Sequence, residues 1–115
     1  MPLFFQQEKK MSVNKVILVG NLGADPEARG AVTKIRLATA ERRKQGDSWV
    51  DHTEWHSVAC FGKTAENVAK FCKKGKQIYV EGKIRTSKYQ DRNGNDKFST
   101  EVVADQIRFL GGRAD

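Results

Sequence analysis

The chain has 115 residues, of which 38% are hydrophobic and 30% charged, and its formal net charge is +7 at pH 7. This length suits one globular domain, and no apolar run approaches the ~20 residues that a membrane-spanning helix needs. The basic excess favours an anionic partner, nucleic acid above all, although charge alone is equally compatible with a merely solvated surface.

Residues 1–11 are predicted to be a flexible N-terminal extension. The segment MPLFFQQEKK has neither the apolar core nor the cleavage site of a secretion signal. The chain contains two cysteines, Cys60 and Cys72. Without a secretion signal, they predict free thiols in the reducing environment of the cytoplasm.

Three strands are predicted in the first half of the domain. The continuous apolar run KVILV at 15–19 indicates a strand buried on both faces. A loop rich in Gly, Asp and Pro then covers 21–30. Residues 32–43 alternate, which places Ile35 and Leu37 on one face of a second strand. After a turn at 44–47, residues 49–61 form the third strand.

One short amphipathic helix is predicted over 64–74. Apolar Ala65, Val68, Ala69 and Cys72 recur at helical spacing and form one stripe. Thr64 is a candidate N-cap and Gly75 a candidate stop, with Lys73 and Lys74 favourable at the negative end of the helix dipole.

The second half alternates again over 77–85, with Ile78, Val80 and Ile84 on one face. The pair Asn93–Gly94 indicates a β-hairpin arm over 86–98, since both residues tolerate positive φ. Residues 98–110 complete the last strand. An order of three strands, a helix and two strands is typical of the OB-fold, a five-stranded Greek-key barrel, here all-β with one short helix and long hairpin arms.

Alternation along the third strand places Trp55 and Phe61 on one face, separated by the small residues Ser57 and Ala59. Exposed rings on a flat strand surface can stack on nucleobases. A lone aromatic residue is more often part of the core, so these two residues alone leave both interpretations open.

Basic residues interleave with aromatic residues on the neighbouring elements. Lys83 and Arg85 share one face of the fourth strand with Tyr89, and further cations lie on the second strand and on both arms. This pattern predicts a groove that tracks phosphates beside a stacking surface. The remaining candidates for DNA contact in this set are Arg36, Arg43, Lys88 and Lys97.

Across residues 12–113 the sequence resembles the bacterial single-stranded DNA-binding protein family. The resemblance is carried by an ordered series of stretches with compatible spacing: NKVILVGNLGADPE at 14–27, LAT at 37–39, TEWH at 53–56, FGK at 61–63, KGKQIYVEGKIRT at 74–86 and TEVVADQIRFLGGR at 100–113.

The resemblance implies a single OB-fold domain over 12–113 that binds and protects single-stranded DNA in replication, recombination and repair. Such a protein is a non-catalytic homotetramer without cofactor or metal, located in the cytoplasm at the nucleoid. Trp55, Phe61 and Tyr89 match stacking positions of the family. Basic positions associated with phosphate contact are matched by Lys15, Lys63, Lys74, Arg85 and Lys88, and subunit-contact positions by His56, Tyr79 and Gln77.

Two departures from the family pattern stand out. Arg43 occupies a position that often carries a stacking Trp, and either its guanidinium or nearby Trp49 could take over that role. The chain also ends at Gly-Gly-Arg-Ala-Asp, with residues 114–115 after the domain, where family members continue into an acidic tail that recruits partners. The sequence is therefore either a core segment or a short member that lacks this recruitment.

Other functions fit the sequence less well. His52, His56 and Cys60 could share a metal on a helix, but on a strand four residues span about 13 Å, too far for one ion. Asp25, Glu27, Asp47 and Asp51 have no convincing nucleophile or base beside them. An OB-fold module that holds other proteins and an RNA-binding module remain the alternatives.

Overall fold

The computed structural model describes residues 11–111. The predictions of a flexible extension before the domain and of a separate C-terminal end concern residues that lie almost entirely outside the described range. Six strands and one helix follow along the chain: β1 (Val16–Leu22), β2 (Glu27–Arg29), β3 (Val32–Gln45), β4 (Ser48–Phe61), α1 (Gly62–Phe71), β5 (Gln77–Gln90) and β6 (Asp96–Phe109).

Five of the strands close into a barrel, which confirms the predicted OB-fold. The order is β1-β5-β6-β4-β3, and β3 returns to β1 through the pairs Asn21↔Ala38 and Leu22↔Leu37. Between β4 and β6 the seam is parallel and consists of only two residue pairs, Val58↔Val102 and Ala59↔Val103. The barrel is therefore closed by short pairings, while its longest ladders lie within hairpins.

Strand β2 was not predicted. Its three residues fall inside the expected loop over 21–30 and pair with the start of β3, for example through Ala28↔Thr33. A strand of three exposed residues is too short to leave a period-two hydrophobic pattern, so only the tertiary pairing identifies it.

The interior contains the residues that alternation placed inward. Leu37, Val58, Ile78 and Val80 are fully buried, and Val68 of α1 packs into the same core. Each such side chain contributes roughly 1.5–3 kcal/mol through burial. The helix covers one end of the barrel, which explains why its apolar stripe is narrow.

The prediction that the first strand is buried on both faces is wrong. Ile17 and Val19 are 57% and 47% exposed, because β1 belongs to an antiparallel barrel wall whose outer face nothing in the described chain covers. Ile84 is predicted on the same face of its strand as Ile78 and Val80, but unlike them it is not buried. It lies where β5 leaves the barrel, and its side chain is 48% exposed.

The helix was predicted in the right place, but both of its ends were misplaced. It begins at Gly62 with Phe61 as N-cap and has no side-chain cap hydrogen bond, so Thr64 is not the cap. It ends at Phe71, and Gly75, with φ +94°, lies in the turn that follows. No helix in the described part of the chain is long and apolar enough to cross a membrane.

Two long hairpins extend beyond the barrel, one formed by β3 and β4 and the other by β5 and β6. The predicted hairpin at Asn93–Gly94 is confirmed, but its turn differs. The carboxylate of Asp91 accepts hydrogen bonds from the backbone N–H groups of Asn93 and Asn95, both at 2.9 Å. Gly94 has positive φ and Asn93 does not, so the turn relies on the Asp91 side chain.

Candidate nucleic-acid interface

Strand register brings the predicted rings and cations to one outer face of the barrel. Arg36 of β3 lies opposite Ser57 of β4, and Trp55 lies two residues before Ser57 on the same side. The face continues across the seam to β6 and β5, where Arg85 pairs with Glu101. Four strands thus contribute to one continuous surface, which we call the cationic face.

Trp55 lies at the edge of this face with half of its surface (51%) exposed. The guanidinium carbon of Arg36 is 5.3 Å from the ring centroid, close enough for a cation–π contact. The other neighbour is the backbone of Gly23, whose N–H donates to the carbonyl oxygen of Arg36 at 2.9 Å. The indole ring is therefore oriented by a cation and by a close backbone, and it remains open to solvent.

Phe61 repeats this arrangement at the end of β4. Its ring is 40% exposed, and the guanidinium carbon of Arg85 is 5.7 Å from the ring centroid. The extended backbone of Phe61, with φ −129° and ψ 157°, still follows the strand, and the helix begins at the next residue. Both rings thus lie outside the core, each with a guanidinium beside it.

The residues of the β5–β6 arm that were predicted to contact DNA lie on opposite sides of the hairpin. Tyr89 and Lys97 pair directly and continue the alternation of Arg85, so they extend the cationic face along the arm. Lys88 has the opposite orientation, and its Nζ atom forms an ion pair with Asp96 at 3.3 Å. Sequence reasoning missed the exposed ring of Phe98, which pairs with Lys88. Its polar flanks gave no pattern that separates it from an ordinary strand residue.

The β3–β4 arm separates the two residues that could replace a stacking Trp. Trp49 is exposed and continues the alternation of Trp55. By strand alternation, Arg43 lies on the opposite face of the hairpin. Its Nε–H donates a hydrogen bond to the carboxylate of Glu41 at 2.8 Å. On geometry, Trp49 is the one that shares a side of the hairpin with Trp55.

Three predicted phosphate contacts lie outside the four strands that form the cationic face. Lys15 precedes β1 and forms an ion pair with Glu81 at 3.0 Å, and the hydrogen bond between them raises the pKa of the lysine. Lys63 lies in the first turn of α1, and Lys74 lies in the loop after the helix. The backbone N–H of Lys74 donates to Asp25 at 2.9 Å, so this loop is attached to the one that precedes β2.

The residues predicted for subunit contact are divided between two regions. Gln77 and Tyr79 share the outer side of β5 beside Val19, and the Tyr79 hydroxyl donates to Glu81 at 2.8 Å. His56 belongs to β4, is partly buried, and its Nε2 atom is 2.9 Å from the Thr39 hydroxyl.

The residues considered for metal binding have other partners. Nε2 of His52 is 2.9 Å from the Glu54 carboxylate, and the thiol of Cys60 is buried in the core. Within residues 11–111 no three His, Cys, Asp or Glu side chains are grouped as metal ligands would be.

Comparison with known proteins agrees with this geometry. The chain matches the single-strand binding protein family over residues 13–110. Its structure is similar to one described as "Plasmodium falciparum SSB complex with ssDNA", with a TM-score of 0.80 and 27% sequence identity. The match covers 90% of this chain and 99% of the other. The chain belongs to the single-strand binding protein family.

Proposed function

We propose that this protein binds single-stranded DNA without sequence preference and covers strands exposed during replication, recombination and repair. One observation carries the proposal: two exposed rings, Trp55 and Phe61, lie on one open face with a guanidinium within 6 Å of each. Membership of the single-strand binding protein family and the similarity to a complex with single-stranded DNA support it.

The mechanism combines electrostatic capture with stacking. Lysines and arginines of the cationic face neutralise phosphates, so log affinity falls with log salt with a slope near −0.7 per phosphate. Bases then stack on the rings, each contributing about 1–3 kcal/mol, and every base offers a suitable π-face. Duplex DNA hides these faces, so it binds much more weakly.

We infer that binding is the whole activity. Two of the four acidic residues considered for hydrolysis have structural partners: Asp25 accepts the N–H of Lys74, and Glu27 forms an ion pair with Arg29 at 3.9 Å. The cationic face offers rings and cations, which hold a strand without transforming it.

We also infer a homotetramer that acts in the cytoplasm at the nucleoid. The support is the exposed outer side of β1 and β5, where Ile17 and Val19 lie beside Tyr79. Contact between copies would remove this apolar surface from water. Several cationic faces on one particle would raise avidity without new kinds of contact. Light scattering of the wild type and of an Ile17→Glu/Val19→Glu variant tests this inference, since the variant should have the lower mass.

Tryptophan fluorescence tests DNA binding directly, because the chain has two tryptophans. The Trp49→Phe variant retains Trp55 as the reporter, and Trp55→Phe retains Trp49. Titration with oligo-dT should quench Trp55 strongly, because its ring lies beside Arg36 on the cationic face. Quenching of Trp49 would show that the path of the bound DNA extends onto the β3–β4 arm.

The matched titrations use duplex DNA and oligo-U of equal length. Weak binding of the duplex and preference for oligo-dT over oligo-U are expected. If neither tryptophan responds and no oligo-dT binds at low salt, the protein is not a DNA-binding module, and a protein-holding role becomes the better explanation.

A further inference from the structure

The carboxylate of Glu101 lies within the cationic face and contacts two of its cations. Glu101 accepts a hydrogen bond from Nη2 of Arg85 at 2.8 Å, and its second oxygen is 3.6 Å from Nζ of Lys34. The side chain of Glu101 is only 13% exposed, whereas Arg85 and Lys34 are 47% and 60% exposed. The Glu101 carboxylate is thus covered by the two basic side chains that it pairs with.

Both cations belong to the part of the face where the rings lie. Arg85 is the guanidinium beside Phe61, and Lys34 precedes Arg36 by two residues on the same side of β3. A groove of about 450 Å³ runs over this region, and Lys34, Arg36 and Glu101 contribute to its lining. Asp25 and Glu27 line the same groove, but neither forms an ion pair with Lys34, Arg36 or Arg85 in the described part of the chain. A strand that stacks on Phe61 and Trp55 is therefore expected to bring phosphates close to Glu101.

The chemistry of this carboxylate opposes phosphate. The hydrogen bond from Arg85 holds the pKa of Glu101 below its ordinary value, so the group is ionised at neutral pH. An ionised carboxylate donates no hydrogen bond and repels a phosphate. It also occupies donors of Lys34 and Arg85 that a phosphate would otherwise use.

The ion pairs are not needed to hold the arm together. Strand pairing between β5 and β6 continues without interruption from Ile84↔Val102 to Gln90↔Asp96, and Arg85↔Glu101 is one pair within it. Since backbone hydrogen bonds maintain this ladder, removal of the charge of Glu101 leaves the hairpin intact.

Given the proposed function, we propose that Glu101 is an internal competitor of DNA phosphate that limits affinity. A phosphate of the bound strand takes over the contacts of Lys34 and Arg85, and the carboxylate loses them. This exchange keeps part of the positive charge of the face neutralised until a strand arrives, and it makes binding easier to reverse.

The test is oligo-dT binding by the wild type and by Glu101→Gln, which keeps the shape of the side chain and removes its charge. In the wild type, the carboxylate that a phosphate displaces takes up a cation from solution. Glu101→Gln abolishes this uptake of one charge, so the slope of log affinity against log salt should steepen by about 0.7. The variant should bind more tightly, and its advantage should shrink about threefold between ~50 and ~200 mM salt.

Glu66→Gln is the matched control, because Glu66 is an exposed carboxylate on α1 without an ion pair in the described part of the chain. It should change the slope much less. A second comparison uses two cations on one side of β3: Lys34→Gln should reduce the slope less than Arg36→Gln, because Glu101 already partly neutralises Lys34. This comparison gives a result even if Glu101→Gln does not fold.

An unchanged slope in Glu101→Gln, or weaker binding by a folded variant, would overturn the inference, since Glu101 would then only position Arg85. Equal effects of Lys34→Gln and Arg36→Gln would overturn it as well. Neither result contradicts the proposed function, because the wild type would still bind oligo-dT. Failure of the wild type to bind oligo-dT overturns the proposed function and this inference with it.

Discussion

The backbone of Gly23 lies directly against the ring of Trp55. A Cβ atom added at Gly23 would be 2.2 Å from Cζ3 of the indole and 2.7 Å from Cη2, far inside van der Waals contact. The loop between β1 and β2 therefore forms one wall of the Trp55 site, and Arg36 forms another. A residue in this loop thus determines where a ring on β4 can lie.

Gly23→Ala should weaken DNA binding with the fold retained. The added methyl group displaces the indole ring from its present position, and up to the full stacking contribution of about 1–3 kcal/mol is lost. Oligo-dT titration measures the loss, and thermal unfolding checks the fold. Gly111→Ala is the control, since its added Cβ would meet no atom within 4 Å. Unchanged affinity in Gly23→Ala would show that the ring position is not critical.

Trp55→Ala and Phe61→Ala should each weaken binding by about 1–3 kcal/mol, because each removes a stacking surface from the cationic face. Phe71→Ala is the matched control. Phe71 is also an exposed ring with a cation nearby, Lys70 at 5.7 Å, but it lies on α1. If all three variants lose affinity equally, the cationic face has no special role in stacking.

Two neighbouring lysines on the β5–β6 arm should differ in their effect on salt dependence. Lys97 shares the side of Tyr89, whereas Lys88 has the opposite orientation and pairs with Asp96. Lys97→Ala should reduce the slope of log affinity against log salt by about 0.7, the value for one phosphate. Lys88→Ala should reduce it less, and the reverse order would assign the phosphate path to the other side of the arm.

Cys60 should make stability depend on alkaline pH. Burial raises the pKa of its thiol from 9.0 to about 12, with nearby Cys72 as the smaller cause. The folded state therefore binds this proton more tightly than the unfolded state does. The resulting stabilisation is complete below pH 9 and is lost as the pH rises towards 12.

Urea unfolding of the wild type and of Cys60→Val between pH 8 and pH 11 measures this effect. The valine variant should lose less stability over that range, and a thiol reagent should modify Cys60 only when the wild type unfolds. Identical pH profiles would mean that the thiol is not buried in solution.

Local patterns predicted the barrel well, because each depends on residues close in sequence. Alternation grouped Ile35 with Leu37 and Trp55 with Phe61, and the first pair is buried while the second is exposed. The turn at Asn93–Gly94 was recognised from two residues, although its geometry depends on Asp91. The order of three strands, a helix and two strands then indicated the OB-fold, and the family resemblance implied the same fold.

Features that depend on neighbours distant in sequence could not be predicted. The apolar run at Ile17 and Val19 reads like a buried strand, and only the closed wall reveals that one side faces outward. The position of Glu101 arises because β3 and β5 both approach it, which no local pattern records. The opposite orientations of Arg43 and Trp49 likewise depend on the hairpin register.

The parallel seam between β4 and β6 has a mechanical consequence. Only two residue pairs join these strands. Beyond the seam, the β3–β4 and β5–β6 hairpins are therefore two-stranded arms attached to the barrel at one end, and they move like levers. Such levers can swing apart or together without breaking a hydrogen bond of the barrel. Under the proposed function, we therefore expect the opening between them to adjust its width to the bases and backbone of the bound strand.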